Sequence, residues 1–277
     1  MQHGRRKEWK GSKMKKYLMI ALAMAVSFVL AACGSLYKDE EQERVQQSPD
    51  LELLNSVQRA VDAYRQDTGV LPIKNSEEDT DLFIKYQIDF SKLANGGYLV
   101  KSPDNSFEQG GIFQYVIWNA EEKPTVRLVD LRMTERLREV NIRFMATTYP
   151  QFKERVADYV YTINFDNIGY KTDVAVDSPY SSDLLPLVVS SDGEVYVDYS
   201  IELQRFINDK DVTPAAGEDL RHLLADEYPV VPAYSLPYTV NDENEVVFMY
   251  DPVTEREQLK EQRRQQLQQD EQEDSGE

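Results

Sequence analysis

The chain has 277 residues, with 49 acidic against 31 basic side chains and a formal net charge of −18. Carboxylates in that excess repel phosphate backbones, which excludes nucleic acid as a partner. A single cysteine rules out an internal disulfide, and transition metals need His or Cys ligands in a number the chain lacks.

That cysteine sits in an informative place. Lys13, Lys15 and Lys16 are followed by Tyr17 to Ala32, sixteen residues without a charge. As a helix this run covers about 24 Å, short of the roughly 30 Å hydrocarbon core. A basic head, a short apolar run and small residues at its end make a secretory signal over residues 1–32, with Met14 a normal start inside it. Leu30-Ala31-Ala32-Cys33, with Gly34 after it, resembles the lipobox of bacterial lipoproteins. The resemblance implies cleavage before Cys33, a diacylglyceryl group on its sulfur and anchorage at the extracytoplasmic face of the cell membrane. Two acyl chains hold where one binds only marginally. The mature chain, Cys33–Glu277, loses seven basic residues and one acidic one with the signal, which takes its charge from −18 to −24. Such a body is repelled by anionic headgroups, so the lipid does the anchoring.

Residues 33–47 read as a polar tether. Ser48-Pro49-Asp50 predicts a helix start, with Ser48 as N-cap and Pro49 in the first turn. Leu51, Leu54, Val57, Val61 and Tyr64 then form one apolar stripe, and Gly69 ends it. Leu71-Pro72-Ile73 is extended, and residues 75–81 form an acidic loop. Two β-rich runs, 112–118 and 125–131, flank Asn119–Pro124 as a hairpin with a longer loop. A second helix is expected over 134–147, N-capped by Thr134, with Leu137, Val140 and Phe144 on one face. Helices are also expected over 201–208 and 217–228.

Two internal echoes stand out. Residues 86–93, YQIDFSKL, match 161–168, YTINFDNI, at an offset of 75. Residues 185–199, LPLVVSSDGEVYVDY, match 236–250, LPYTVNDENEVVFMY, at an offset of 51. Asp192-Gly193 is a hairpin signal, because glycine accepts a positive φ. Alternating amphipathic helices and hairpins predict an α+β fold. The expected division is a first helix-plus-hairpin unit over 48–133, a second over 134–252 with an extra C-terminal hairpin, and a charged tail over 253–277.

No catalytic motif is present: there is no G-x-S-x-G elbow, no H-E-x-x-H and no phosphate loop. His222, the one histidine of the mature chain, falls among leucines on a helix, where a structural role is expected. The acidic runs Glu77–Asp79 with Asp81, and Asp242-Glu243 with Glu245, lack the spacing of a calcium loop. The expectation is therefore no enzyme, no metal and no cofactor beyond the covalent lipid. The most unusual stretch is Tyr228–Tyr238, three prolines in eleven residues. Proline fixes an extended backbone there. Tyr228, Tyr234 and Tyr238 on such a strap are candidates for a surface recognising a glycan or partner protein. The competing reading packs them against the sheet edge.

The stretch 56–72 resembles the helix end of type IV pilin-like domains. FKERVADYVYTINFDNIGYK (152–171), SSDGEVYVDY (190–199) and VPAYSLPYTV (231–240) resemble YphF-type lipoproteins of Bacillus-like bacteria, sometimes labelled periplasmic-binding components of ABC transporters. What the lipobox and that resemblance together imply is a non-catalytic envelope lipoprotein with a binding or scaffolding role. Its partners would be the membrane through the lipid, and an envelope protein or cell-wall component. The alternative is the solute-binding lipoprotein of an ABC transporter.

Overall fold

The computed structural model describes residues 49–251 except 78 and 79. The signal, the lipobox residues Leu30, Ala31, Ala32 and Cys33, the tether, Ser48 and the tail lie outside the described residues. The first helix, α1 (Leu51–Thr68), is capped by Asp50, whose carboxylate accepts the Glu52 and Leu53 N–H groups at 2.8 and 3.1 Å. The cap is thus Asp50, not Ser48. Gly69 (φ 77°) closes the helix in the left-handed conformation that favours glycine. Leu54, Val57, Ala60 and Val61 bury its inner face.

Beyond Gly69 the chain bridges Ile73 to Ile88 and Gln87 to Val116, then forms the short helix α2 (Phe90–Asn95). The hairpin β1 (Phe113–Trp118) and β2 (Thr125–Asp130) follows. It is buried on both faces. Phe113, Tyr115, Ile117, Val126 and Leu128 pack with α1 and α2, while Val116 and Val129 pack with Phe83, Ala225, Val231 and Ala233. Two covers account for the near-continuous apolar run of β1.

Helix α3 (Leu131–Met145) begins directly after β2. Asp130 caps it, accepting the Arg132 N–H at 2.9 Å. Thr134, the expected cap, lies inside the first turn, its hydroxyl on the Asp130 carbonyl at 3.4 Å. A carboxylate at the strand end outcompetes the hydroxyl for the cap position. Next come β3 (Phe152–Ala157), β4 (Val160–Ile163), β5 (Ala175–Asp177), β6 (Leu184–Ser190) and β7 (Val195–Val197). They form one antiparallel sheet of order β3-β4-β6-β5, with β7 also on β6. Helix α4 (Ser200–Lys210) follows, then α5 (Arg221–Glu227) and the hairpin β8 (Tyr238–Val240) and β9 (Val246–Phe248). Helix α5 is shorter than expected. Gly217 holds φ 86° and the Leu220 N–H donates to the Tyr238 carbonyl, so the chain stays out of the helix until 221. The class is α+β.

The 51-residue echo is reproduced in the hydrogen bonds. In β6–β7, Leu187 pairs with Val197, Val188 with Tyr196 and Val189 with Val195. In β8–β9, Tyr238 pairs with Phe248, Thr239 with Val247 and Val240 with Val246, each 51 residues on. The turns agree too. Ser190 donates to Glu194 and Gly193 to Ser190, while Asn241 donates to Glu245 and Asn244 to Asn241. Gly193 and Asn244 both hold positive φ, 89° and 62°. At the exits, Asp198 donates to Pro186 and Met249 to Pro237, at 2.9 and 2.8 Å. The 75-residue echo is looser, for Phe90–Asn95 forms an α-helix where Asp166–Ile168 forms a single 3-10 turn. Lys92 N–H caps on the Asp89 carboxylate (3.4 Å) as Asn167 N–H caps on the Asn164 amide (3.3 Å), and Ile88, Phe90 and Leu93 are buried like Ile163, Phe165 and Ile168.

These helices and hairpins repeat as a unit. Helix α1 packs on β2, α3 on β7 and α4 on β9, so each helix covers the second strand of a hairpin. Two apolar clusters dominate the core, one around α1 and β1–β2 and the other spanning α3, β4–β7, α4 and β8.

Candidate functional site

One face of α3 and the proline-rich strap enclose a groove of about 1150 Å³. Thr134, Leu137, Arg138 and Asn141 line it from α3, at the three- and four-residue spacing that puts side chains on one helix face. Val195 and Tyr196 of β7 form a second wall, and Tyr234–Pro237 of the strap a third. Asp81, Asp219 and Arg221 supply its charges at one end.

The strap is fixed by bonds from three sides. Leu128 N–H donates to the Pro229 carbonyl and Val231 N–H to the Leu128 carbonyl, both at 2.9 Å, which lays residues 229–231 along β2 in parallel. Val197 N–H donates to the Tyr234 carbonyl at 2.9 Å. Arg221 donates to the Ser235 carbonyl at 2.7 Å and grips Asp219 through Nε and Nη2 (3.0 and 2.7 Å). Its guanidinium also lies 5.2 Å from the Phe83 ring centre. Tyr234 itself sits at φ 56°, a left-handed conformation costly for a residue with a side chain and kept only where the surroundings over-determine it.

Asp81 borders this charged end. Its carboxylate accepts the Phe83 N–H at 2.9 Å. Burial pushes its pKa above the usual carboxylate range, with Asp219 adding to the rise while the Phe83 N–H and Arg221 oppose it. Asn141 is the unsatisfied member of the wall: its Oδ1 is shielded from solvent and has no hydrogen-bond partner. A groove with an apolar wall, a fixed charged end and an amide oxygen left without a partner can bind and orient a polar ligand.

The predicted tyrosine surface is redistributed. Tyr234 lines the groove. Tyr228 is half-buried and packs 4.9 Å from the Tyr180 ring. Tyr238 is corrected: it is fully buried, and it accepts the Tyr199 N–H at 2.8 Å and donates to Asp198 at 3.2 Å. It opens β8, so its ring faces the core as Leu187 does in the matching hairpin. His222 donates from Nδ1 to the Asp219 carbonyl at 2.7 Å, with Glu218 3.5 Å from Nε2. Among the described residues no cluster of three or more His, Cys, Asp or Glu side chains is placed to hold a metal, Asp242, Glu243 and Glu245 included; Glu78 and Asp79 lie outside the described residues. Among the described residues, too, no helix is long and apolar enough to cross a membrane.

Sequence reasoning missed the wall of α3 and, with it, Asn141. The signal was present in three helices. Leu54-Val57-Gln58-Val61, Leu137-Val140-Asn141-Phe144 and Ser200-Leu203-Gln204-Ile207 share one spacing, with a side-chain amide just after the second position.

No curated protein and no solved structure matches the chain. A family match falls on the first helix-plus-hairpin unit, upstream of the stretches 152–171, 190–199 and 231–240 that resemble the same family. Residues 50–130 match the model of the YphF family N-terminal domain, which makes this part of the chain similar to that family.

Proposed function

We propose that this chain is a non-catalytic lipoprotein, held by diacylglyceryl on Cys33 at the outer face of the cell membrane, that binds an envelope component in the groove between α3 and the strap. The groove is the observation that carries the binding part: its volume, about 1150 Å³, suits a ligand of moderate size, and its charged end is held rigid by Arg221. At that end Arg221 is paired with Asp219 and the Ser235 carbonyl, and Asp81 with the Phe83 N–H, an arrangement suited to recognition more than to proton transfer. The anchor rests on the lipobox order Leu30-Ala31-Ala32-Cys33.

The test places a photo-crosslinking residue at Leu82, on the groove, or at Val156, on β3 outside its lining, in intact cells. The reading predicts a discrete adduct from position 82 that is absent from position 156. Equal, diffuse labelling at both would refute it. Anchorage is checked by the mass of the mature chain: a diacylglyceryl increment lost in Cys33→Ala supports it, and an unmodified thiol contradicts it. The second reading, a solute-binding protein of an ABC transporter, is favoured by the same groove volume. It predicts a small-molecule ligand and an adduct to a membrane permease.

A further inference from the structure

Two of the three repeated helices carry a glutamine clamp. Val126 N–H donates to Gln58 Oε1 at 2.7 Å, and Gln58 Nε2 donates to the Pro124 carbonyl at 3.1 Å. Val246 N–H donates to Gln204 Oε1 at 2.8 Å, and Gln204 Nε2 donates to the Asn244 carbonyl at 3.3 Å. In each, one carboxamide satisfies the outward N–H of the returning strand and the carbonyl two residues before it. The groups are backbone, on the side of β2 or β9 that faces away from its hairpin partner, and on β2 the clamp continues the edge that Leu128 begins with the strap.

The middle copy lacks this closure. Register places Val195 where Val246 stands and Gly193 where Asn244 stands. Helix spacing places Asn141 where Gln58 and Gln204 stand. Asparagine is one methylene shorter, and its Oδ1 accepts no hydrogen bond, so it does not take the Val195 N–H. Both Asn141 and Val195 line the groove. The cavity therefore opens at the one copy of the repeat in which the clamp is too short.

We infer that the groove binds its ligand through an amide group that takes the place of the missing carboxamide. The ligand's C=O accepts the Val195 N–H, and its N–H serves the Gly193 carbonyl, as the glutamine Nε2 serves the Asn244 carbonyl, or the Asn141 Oδ1 once that side chain turns into the groove. This rests on the groove being the binding site of the proposed function, and it names the ligand's chemistry: an amide, carried either by a peptide or by the acetamido group of an N-acetylated sugar. A carboxylate ligand lacks the donor, and among the groove's charges Asp81, Glu194, Asp219 and Asp251 outnumber Arg138 and Arg221. Apolar ligands leave the Asn141 amide unpaired.

The experiment uses the full-length protein in detergent and follows thermal unfolding with three probes: the peptide Ac-Ala-Gln-Ala-NH2, di-N-acetylchitobiose, and cellobiose, which has no amide. The wild-type melting temperature rises with the peptide or with the acetamido sugar, whichever is the source, and not with cellobiose. Asn141→Gln closes the clamp from within. It melts about 2–4 °C higher without any probe and loses the probe response. Asn141→Leu, close to isosteric, keeps the fold and also loses the response. If neither amide probe shifts the wild type, or if Asn141→Leu responds as the wild type does, the inference is overturned; the leucine variant decides should the glutamine variant not fold. A groove adduct in cells without any probe response overturns the amide assignment and leaves the groove reading standing. Loss of both removes both.

Discussion

The helix–hairpin pair at α1 and β2 and the pair at α3 and β7 are built alike and end differently. In both, an aspartate at the close of the second strand precedes a helix, Asp130 before α3 and Asp198 before α4, each accepting the N–H two residues on at 2.9 Å. In both, a helix lays an apolar stripe over the returning strand. At the first, Gln58 spans the gap to the strand edge and the interface is closed. At the second, Asn141 falls short and a groove opens. A repeat that needs only hydrophobic spacing for its fold leaves its clamp position free to vary, and one methylene separates a sealed edge from an open one.

The comparison can be broken most severely with alkali, because it assumes that all copies share one buried framework. Tyr115 lies in the first unit, and Tyr199 and Tyr238 in the later ones; all three are almost wholly inaccessible. Burial raises each of their pKa values above the ordinary tyrosine range. A pKa raised in the folded state gives stability that is complete below about pH 10 and lost as pH rises past it. The expected loss is about 1.4 kcal/mol per tyrosine for each pH unit above 10, roughly 4 kcal/mol for the three together. Absorbance at 295 nm should show them ionising only with unfolding. Smooth titration in the folded protein would contradict the shared core.

Core truncation comes next. Val57, Val140 and Leu203 hold equivalent, fully buried places. Leu203→Ala should cost about 2–5 kcal/mol in chemical denaturation. Leu137→Ala, whose side chain already borders the groove, should fall below Leu54→Ala at the equivalent position of the closed copy, because one wall of its cavity is already open.

The clamp itself is sharper still. Gln58→Leu and Gln204→Leu each strand a backbone N–H and a carbonyl, and should cost about 1–3 kcal/mol. Asn141→Leu, whose amide oxygen has no partner to lose, should cost less than about 0.5 kcal/mol without ligand. Equal costs at all three would erase the distinction between open and closed copies.

The smallest effect belongs to Asp81. Its raised pKa means that it contributes stability below the unfolded value near 4 and loses it as pH rises through the folded value. Asp81→Asn keeps the acceptor for the Phe83 N–H. It should melt slightly higher than the wild type at pH 7 and no higher at pH 3. A lower melting temperature at pH 7 would mean that attraction to Arg221 outweighs the cost of burial.

Much of the fold was legible because it rests on period and local chemistry. The stripe Leu54, Val57 and Val61 marks α1, and the alternating runs around Asn119–Pro124 mark β1 and β2, within a residue of their ends. The 51-residue echo carries through to matching hydrogen bonds, since a hairpin's register follows from its turn. Caps were misplaced at Ser48 and Thr134, where a nearby aspartate competed better than a hydroxyl. The site was legible only at Tyr234. Its other walls come from residues 80 to 251, far apart in sequence, and the cue at Asn141 is an absence: a side chain one carbon too short is visible only beside Gln58 and Gln204 once their bonds are known. Tyr238 resembled its neighbours on the strap, yet the strand that begins there turns it inward.

Hydrogen exchange at three backbone amides tests the account most directly. In full-length protein without ligand, the amides of Val126 and Val246 should be protected by their glutamines, while that of Val195 exchanges markedly faster. Adding the amide probe that binds should slow Val195 alone. Protection of Val195 equal to that of Val126 and Val246 in the absence of any ligand would contradict the open middle copy and everything inferred from it.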